Sequence, residues 1–252
     1  MRCQKASRLA VVSLGGLVYT QLTMERKTEI WFIAIFAIVV VLAVVGAAFL
    51  SSSVAPNSNF KATVVPAITS ADHARGNLSA KVSLIEYGDF QCPACGQYEP
   101  IVEQLTKDYG DRVEFVFRNF PLYQIHQDAM ISAQAAEAAA LQNKYWEMHD
   151  LLYTNQVTWS AEPASSVVAK YFDGYAQSLG LDVAKFNVDV NSDAVKARVQ
   201  KDLDSGNAAQ VDHTPTFFIN LTQIPNPSND ANFKAVLDAA LAGQAIATST
   251  AQ

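Results

Sequence analysis

Two cysteines stand two residues apart in Phe90-Gln91-Cys92-Pro93-Ala94-Cys95, a spacing that lets one disulfide open and close. Val82 to Tyr87, just before them, alternates apolar and polar side chains as a strand does and stops at Gly88-Asp89. Cys95 to Tyr109 then carries Ile101, Val102 and Leu105 at helical spacing. The dithiol therefore lies where a strand hands the chain to a helix. Free N–H groups and the positive dipole end of a first helical turn favour a thiolate at Cys92, and Cys95, one turn on, is within reach to close the ring. That geometry makes Cys92 the nucleophile and Cys95 the resolving thiol. Pro93 and Ala94 form the active-site turn, and Pro93 suits a first helical turn, where its missing N–H costs nothing. A low thiol pKa also favours the dithiol over the disulfide, which makes the pair a better oxidant.

The elements that must hold this pair follow in order. Val113 to Arg118 alternates as a second strand, and Asp128 to Gln142 and Lys144 to Tyr153 are Ala-rich helical segments. Pro163 to Leu179 and Ser192 to Ser205 read as further helices. A strand returns at Thr216 to Ile219 behind His213-Thr214-Pro215, and a last helix runs from about Asp230 to Ala242 after the turn Asn226-Pro227-Ser228-Asn229. Strand, helix and strand followed by a block of helices predict an α/β fold: a small sheet with a helical subdomain inserted at about 125–206.

The chain has 252 residues and a net charge of −6. Ile30 to Leu50 is an unbroken apolar run, long enough to cross a bilayer as a helix. Arg2, Lys5, Arg8, Arg26 and Lys27 precede it and the next basic residue is Lys61, which places residues 1–29 in the cytoplasm and the rest outside. The expected order is thus a cytoplasmic segment (1–29, with Met24 an alternative start), an anchor (30–50), a Ser/Asn/Pro-rich linker (51–67) and one domain (68–245). Cleavage after a signal peptide at Ser51 to Ala55 is the competing reading, and the apolar run exceeds the usual signal core. Removing the five basic and two acidic residues of 1–50 leaves 13 basic against 22 acidic, a net −9 outside, which argues against nucleic acid. Beyond Cys3 the chain has only the two motif cysteines, so no structural disulfide competes with them.

Three stretches, Leu84 to Cys95 (LIEYGDFQCPAC), Phe115 to Leu122 (FVFRNFPL) and Thr214 to Asn220 (TPTFFIN), occur in the order found in DsbA-like proteins of the thioredoxin fold. The chain resembles the membrane-tethered or exported bacterial members of that family from about Ile68 to Ala242. The resemblance implies a thioredoxin fold split by a helical insertion, with Pro215 as a cis-proline facing the cysteines and Thr214 offering its backbone to a substrate peptide. It also implies that Glu86, six residues before Cys92, is the buried acid that moves a proton for Cys95. Two positions depart from the family pattern: Pro93-Ala94 lacks the histidine of the strongest oxidants, and His213 stands where glycine is common. The His213 imidazole either tunes the sulfurs or faces solvent. The activity implied is that of a monomeric, cofactor-free oxidoreductase that gives disulfides to exported cysteine-containing proteins and is reoxidised by a quinone-linked membrane partner.

Other readings compete. A zinc site built from Cys92, Cys95, His126 and His149 has the right ligand types, but the histidine side lacks zinc-type spacing. A reductase or isomerase would use the same dithiol, and a peptide-binding chaperone or assembly module would use the groove beside Thr214-Pro215 with the cysteines secondary.

Overall fold

Strand β2 (Val82–Gly88) is buried along its whole length because it lies at the centre of a five-stranded sheet. The computed structural model describes residues 65–246. In the sheet, β1 (His73–Gly76), β3 (Val113–Asn119), β2, β4 (Thr216–Ile219) and β5 (Thr222–Ile224) lie side by side in that order. Only β2 and β3 are parallel, with Glu86 opposite Phe117; on its other edge β2 runs antiparallel to β4, with Glu86 opposite Phe217.

Side chains alternate across a strand, so Val82, Leu84 and Glu86 share one face of β2 and Ile85 and Tyr87 the other. Helices α1 (Pro93–Tyr109) and α9 (Asp230–Leu241) cover the first face, where Val102, Leu105, Phe233 and Leu237 pack on Val82, Leu84, Phe115 and Phe217. On the second face Ile85, Tyr87, Val116 and Phe218 meet Val65 and Leu203. Each of these large side chains contributes roughly 1.5–3 kcal/mol by leaving water.

Seven helices lie between β3 and β4: α2 (Ala129–Ala140), α3 (Tyr145–Thr154), α4 (Gln156–Trp159), α5 (Ala164–Val167), α6 (Asp173–Ser178), α7 (Val183–Val190) and α8 (Asp193–Ala208). Their apolar core, with Met148, Leu152, Trp159, Phe172 and Phe186, is continuous with Phe90, Cys92 and Cys95. The insertion therefore packs directly against the dithiol.

Helix α1 starts two residues before the spacing places it. Pro93 takes the first helical position and leaves Cys92 as the N-cap, with φ −68° and ψ 120°. The single helix expected from Pro163 to Leu179 is instead α5 and α6 joined by a π-helical turn, Val168–Phe172. The apolar run Ile30 to Leu50 lies outside the described residues, among which no helix is long and apolar enough to cross a membrane.

Candidate active site

The buried face of α1 carries Cys95, Glu99, Val102 and Leu105 at intervals of four, three and three residues. This is the helical stripe that faces β2, where strand alternation has put Glu86 beneath the same helix. Glu86 is buried. Burial, then the negative charge of Glu99, lift its carboxyl well above the ordinary value, against the pull of Arg75. With Arg75, Glu99 and His149 it lines a cavity of about 10 Å³, close to the smallest space that holds a water.

Both thiols are free and buried, and their surroundings treat them oppositely. The hydrogen bond from Cys95 is the largest influence on Cys92; burial opposes it, and Thr214 and the first-turn N–H groups of Cys95 and Ala94 add to it. Together they bring the Cys92 thiol from 9.0 down to about 5. Cys95 goes the other way: burial, its hydrogen bond to Cys92 and the charge of Glu86 push it well above its ordinary value. Cys92 thus ionises while Cys95 keeps its proton, beside a carboxyl that also tends to stay protonated.

The loop before β4 closes the site from the far side. The Thr214–Pro215 peptide bond is cis, and the Cys92 thiol donates to the Thr214 carbonyl oxygen at 3.4 Å. The Thr214 hydroxyl is buried with no other partner among the described residues and favours the thiolate of Cys92. Asn226 Nδ2 donates to the Pro215 carbonyl at 2.7 Å and fixes the loop. His213 does not join the site: its side chain is 54% exposed and pairs with the surface carboxylate of Asp212 at 2.6 Å.

Several residues at the site carry no mark in the sequence reading. Asp89, fully buried, accepts hydrogen bonds from the N–H groups of Gln91 (2.8 Å) and Leu122 (2.9 Å) and pairs with His126 Nδ1 at 2.7 Å. Its own N–H points at Cys95 Sγ, 3.5 Å away. Gln91 donates to the Ser160 carbonyl and to Asp128, and Gln156 donates to the carbonyls of Phe90 and Cys92. The one available signal is that Asp89 and Gln91 are polar residues inside an otherwise apolar approach to the cysteines.

Two thiolates and two imidazoles do not come together as a zinc site. His126 is engaged by Asp89, and the one set of three possible metal ligands among the described residues, Glu99, His149 and Asp150, leaves out both cysteines. Arg75, 3.7 Å from Glu99 and 3.6 Å from Asp150, already sets a cation between those carboxylates.

Comparison with known proteins agrees with this geometry. The sequence profile described as Thioredoxin matches residues 69–239. A Na(+)/H(+) antiporter NhaA 1 of Salinispora arenicola is 38% identical over 180 residues, which are 71% of this chain and 26% of the antiporter. The NhaA antiporter of Herminiimonas arsenicoxydans is 36% identical over 172 residues, 68% of this chain and 26% of that protein. The chain therefore spans only about a quarter of the length of these relatives. Among solved structures, oxidised BdbD of Bacillus subtilis superposes with a TM-score of 0.60 at 24% identity, covering 69% of this chain and 94% of that one. The α-DsbA1 protein of Wolbachia pipientis gives a TM-score of 0.63 at 18% identity, over 72% and 96% of the two chains. With a family match across most of its length and this fold around its paired cysteines, the chain belongs to the thioredoxin family.

Proposed function

We propose that this chain is an extracytoplasmic thiol–disulfide oxidoreductase that donates its Cys92–Cys95 disulfide to exported, cysteine-containing proteins. The observation that carries this reading is the placement of two buried thiols one helical turn apart at the start of α1, with the Cys92 thiol 3.4 Å from the Thr214 carbonyl of the cis-proline loop; these surroundings bring the Cys92 thiol to about 5 and push Cys95 well above its ordinary value. A substrate thiolate attacks Cys92 Sγ in the oxidised chain. The Cys92–Cys95 bond breaks, and Cys95 leaves with the electron pair and takes a proton from Glu86. The substrate's second thiolate then attacks its own sulfur in the mixed disulfide, and Cys92 departs as a thiolate, a good leaving group because of its low pKa. Two electrons pass from substrate to chain. Of the two substrate protons, one restores Glu86 and the other goes to solvent.

The Thr214 carbonyl beside Cys92 suits pairing with an extended peptide, which adds main-chain affinity without sequence preference. The sulfurs carry the electrons, so the chemistry calls for no cofactor. Return to the disulfide needs a two-electron oxidant, which we assign to a quinone-linked membrane protein reached by a monomer anchored through Ile30 to Leu50. The basic residues ahead of that run favour a cytoplasmic N-terminus and an exterior domain from 68 to 245. Likeness to part of two membrane antiporters fits a place of action at a membrane, while sodium–proton exchange belongs to those proteins.

The test is the redox equilibrium of the chain with glutathione, read by thiol alkylation and mass. A potential more oxidising than the glutathione pool supports a disulfide donor. A potential far below it makes the chain a reductase, and failure to form the internal disulfide leaves a peptide-binding chaperone or assembly role.

A further inference from the structure

Helix α4 brings to the site a side chain that the exchange steps do not use. Gln156 is 8% exposed, and its Nε2 donates to the carbonyl oxygens of Phe90 and Cys92 at 2.8 Å each. A planar amide carries its two hydrogens in a fixed fork, so engaging both carbonyls sets their separation and direction. The Cys92 carbonyl also receives the first bond of helix α1, from the Gly96 N–H at 3.2 Å. The lack of a side chain at Gly96 leaves room for this contact: a Cβ there would sit 2.5 Å from Gln156 Oε1. Gln91 ties the same turn to the insertion from another direction, donating to the Ser160 carbonyl at 2.7 Å and accepting from the Asp128 N–H at 2.5 Å.

We propose that Gln156 is a positioning residue through which the helical insertion sets the redox poise of the Cys92–Cys95 pair. The direction of the Cys92 carbonyl fixes the plane of the Cys92–Pro93 peptide, and with it the approach of the first turn of α1 to the Cys92 sulfur. In the orientation present, the N–H groups of Ala94 and Cys95 favour the thiolate of Cys92. A thiolate exists in the dithiol and not in the disulfide, so releasing the carbonyl weakens the dithiol alone. This inference rests on the oxidoreductase reading above, and the unsubstituted chain serves as its control.

The experiment uses the full chain in detergent with Gln156→Leu, which keeps bulk and removes both donors, and Gly96→Ala, which presses on the amide from the opposite side. Thiolate absorbance against pH gives the Cys92 ionisation, and equilibration with glutathione gives the redox constant. Gln156→Leu is expected to raise the Cys92 pKa by about one and to shift the equilibrium about tenfold toward the protein disulfide, ~30 mV less oxidising. Gly96→Ala is expected to move both readings in the same direction, and keeps the test alive if Gln156→Leu does not fold. A general loss of packing would lower the melting temperature and leave these two readings in place. Values within about twofold of the unsubstituted chain for folded variants overturn the proposal. Failure of the unsubstituted chain to form its disulfide overturns the oxidoreductase reading, and this inference with it.

Discussion

With Cys92 ionising at about 5 and Cys95 well above its ordinary value, the redox potential of the pair should change slope with pH near pH 5. Below that point, reduction of the disulfide takes up two protons with two electrons, and the potential falls by about 59 mV per pH unit. Above it Cys92 stays ionised, only one proton is taken up, and the slope halves to ~30 mV. The same value fixes how much the surroundings of Cys92 raise the oxidising power. At pH 7 a thiol of ordinary pKa would be protonated, so only the two decades between about 5 and 7 count. They amount to about 2.7 kcal/mol in favour of the dithiol and ~60 mV in potential, relative to a pair without that stabilisation. The perturbation is pH, from about 4 to about 8, and the assay is equilibration with a thiol–disulfide buffer of known potential followed by alkylation and mass measurement. Repeating it with Glu86→Gln removes the protons of that carboxyl from the count. A single slope of about 59 mV per unit across the whole range would refute the reasoning, because it would mean that Cys92 stays protonated throughout.

Glu86 titrates above its ordinary value in the folded chain, so the folded state holds its proton longer than the unfolded one, and stability falls as pH rises from 4.5 toward the folded value. Glu86→Gln should therefore stabilise the chain by an amount that grows with pH, about 1.4 kcal/mol for each decade of elevation, while slowing disulfide exchange roughly 10²-fold; melting curves showing equal gain at pH 5 and pH 8 would contradict this. Asp89 is a fully buried carboxylate with Gln91, Leu122 and His126 as partners, and Asp89→Ala should cost about 3–5 kcal/mol in urea unfolding; a loss under about 1 kcal/mol would show that these contacts are dispensable. Arg118 binds Asp72 at 2.7 Å, the carbonyls of Pro66 and Ala67, and the Tyr87 hydroxyl. Arg118→Ala leaves Asp72 without its cation, should cost a similar 3–5 kcal/mol, and should open residues 65–67 to proteolysis; unchanged digestion would count against that tie.

What the sequence displays is what is local or periodic. The cysteine spacing, the strand before it and the buried stripe of α1 are visible because a period of two meets a period of 3.6 at the motif. Those two periods also place Glu86 and Glu99 on facing surfaces. The edge strands β1 and β5 escape notice because four and three residues are too few for a pattern, and pairing with β3 and β4 holds them instead. The Asp89–His126 pair and the Gln156 fork are hidden for a different reason. Their partners lie 37 and 64–66 residues apart and meet only once the insertion has docked on the thioredoxin core. The direction of the His213 ring is likewise decided by a neighbour, Asp212, that draws it to the surface.

The most direct measurement is transfer of the disulfide itself. The oxidised chain is mixed with a reduced, unfolded protein of two cysteines, and the products are resolved by mass after alkylation, alongside Cys92→Ser and Cys95→Ser. The unsubstituted chain should pass on one disulfide per molecule and emerge as the dithiol. Cys95→Ser carrying glutathione in a disulfide on Cys92 should release glutathione to a substrate thiol as the substrate joins Cys92 in a mixed disulfide, and Cys92→Ser, with no internal disulfide to give, should transfer nothing. If the oxidised chain leaves the substrate reduced, or Cys92→Ser transfers as well as the unsubstituted chain, then the Cys92–Cys95 pair is not the carrier of electrons.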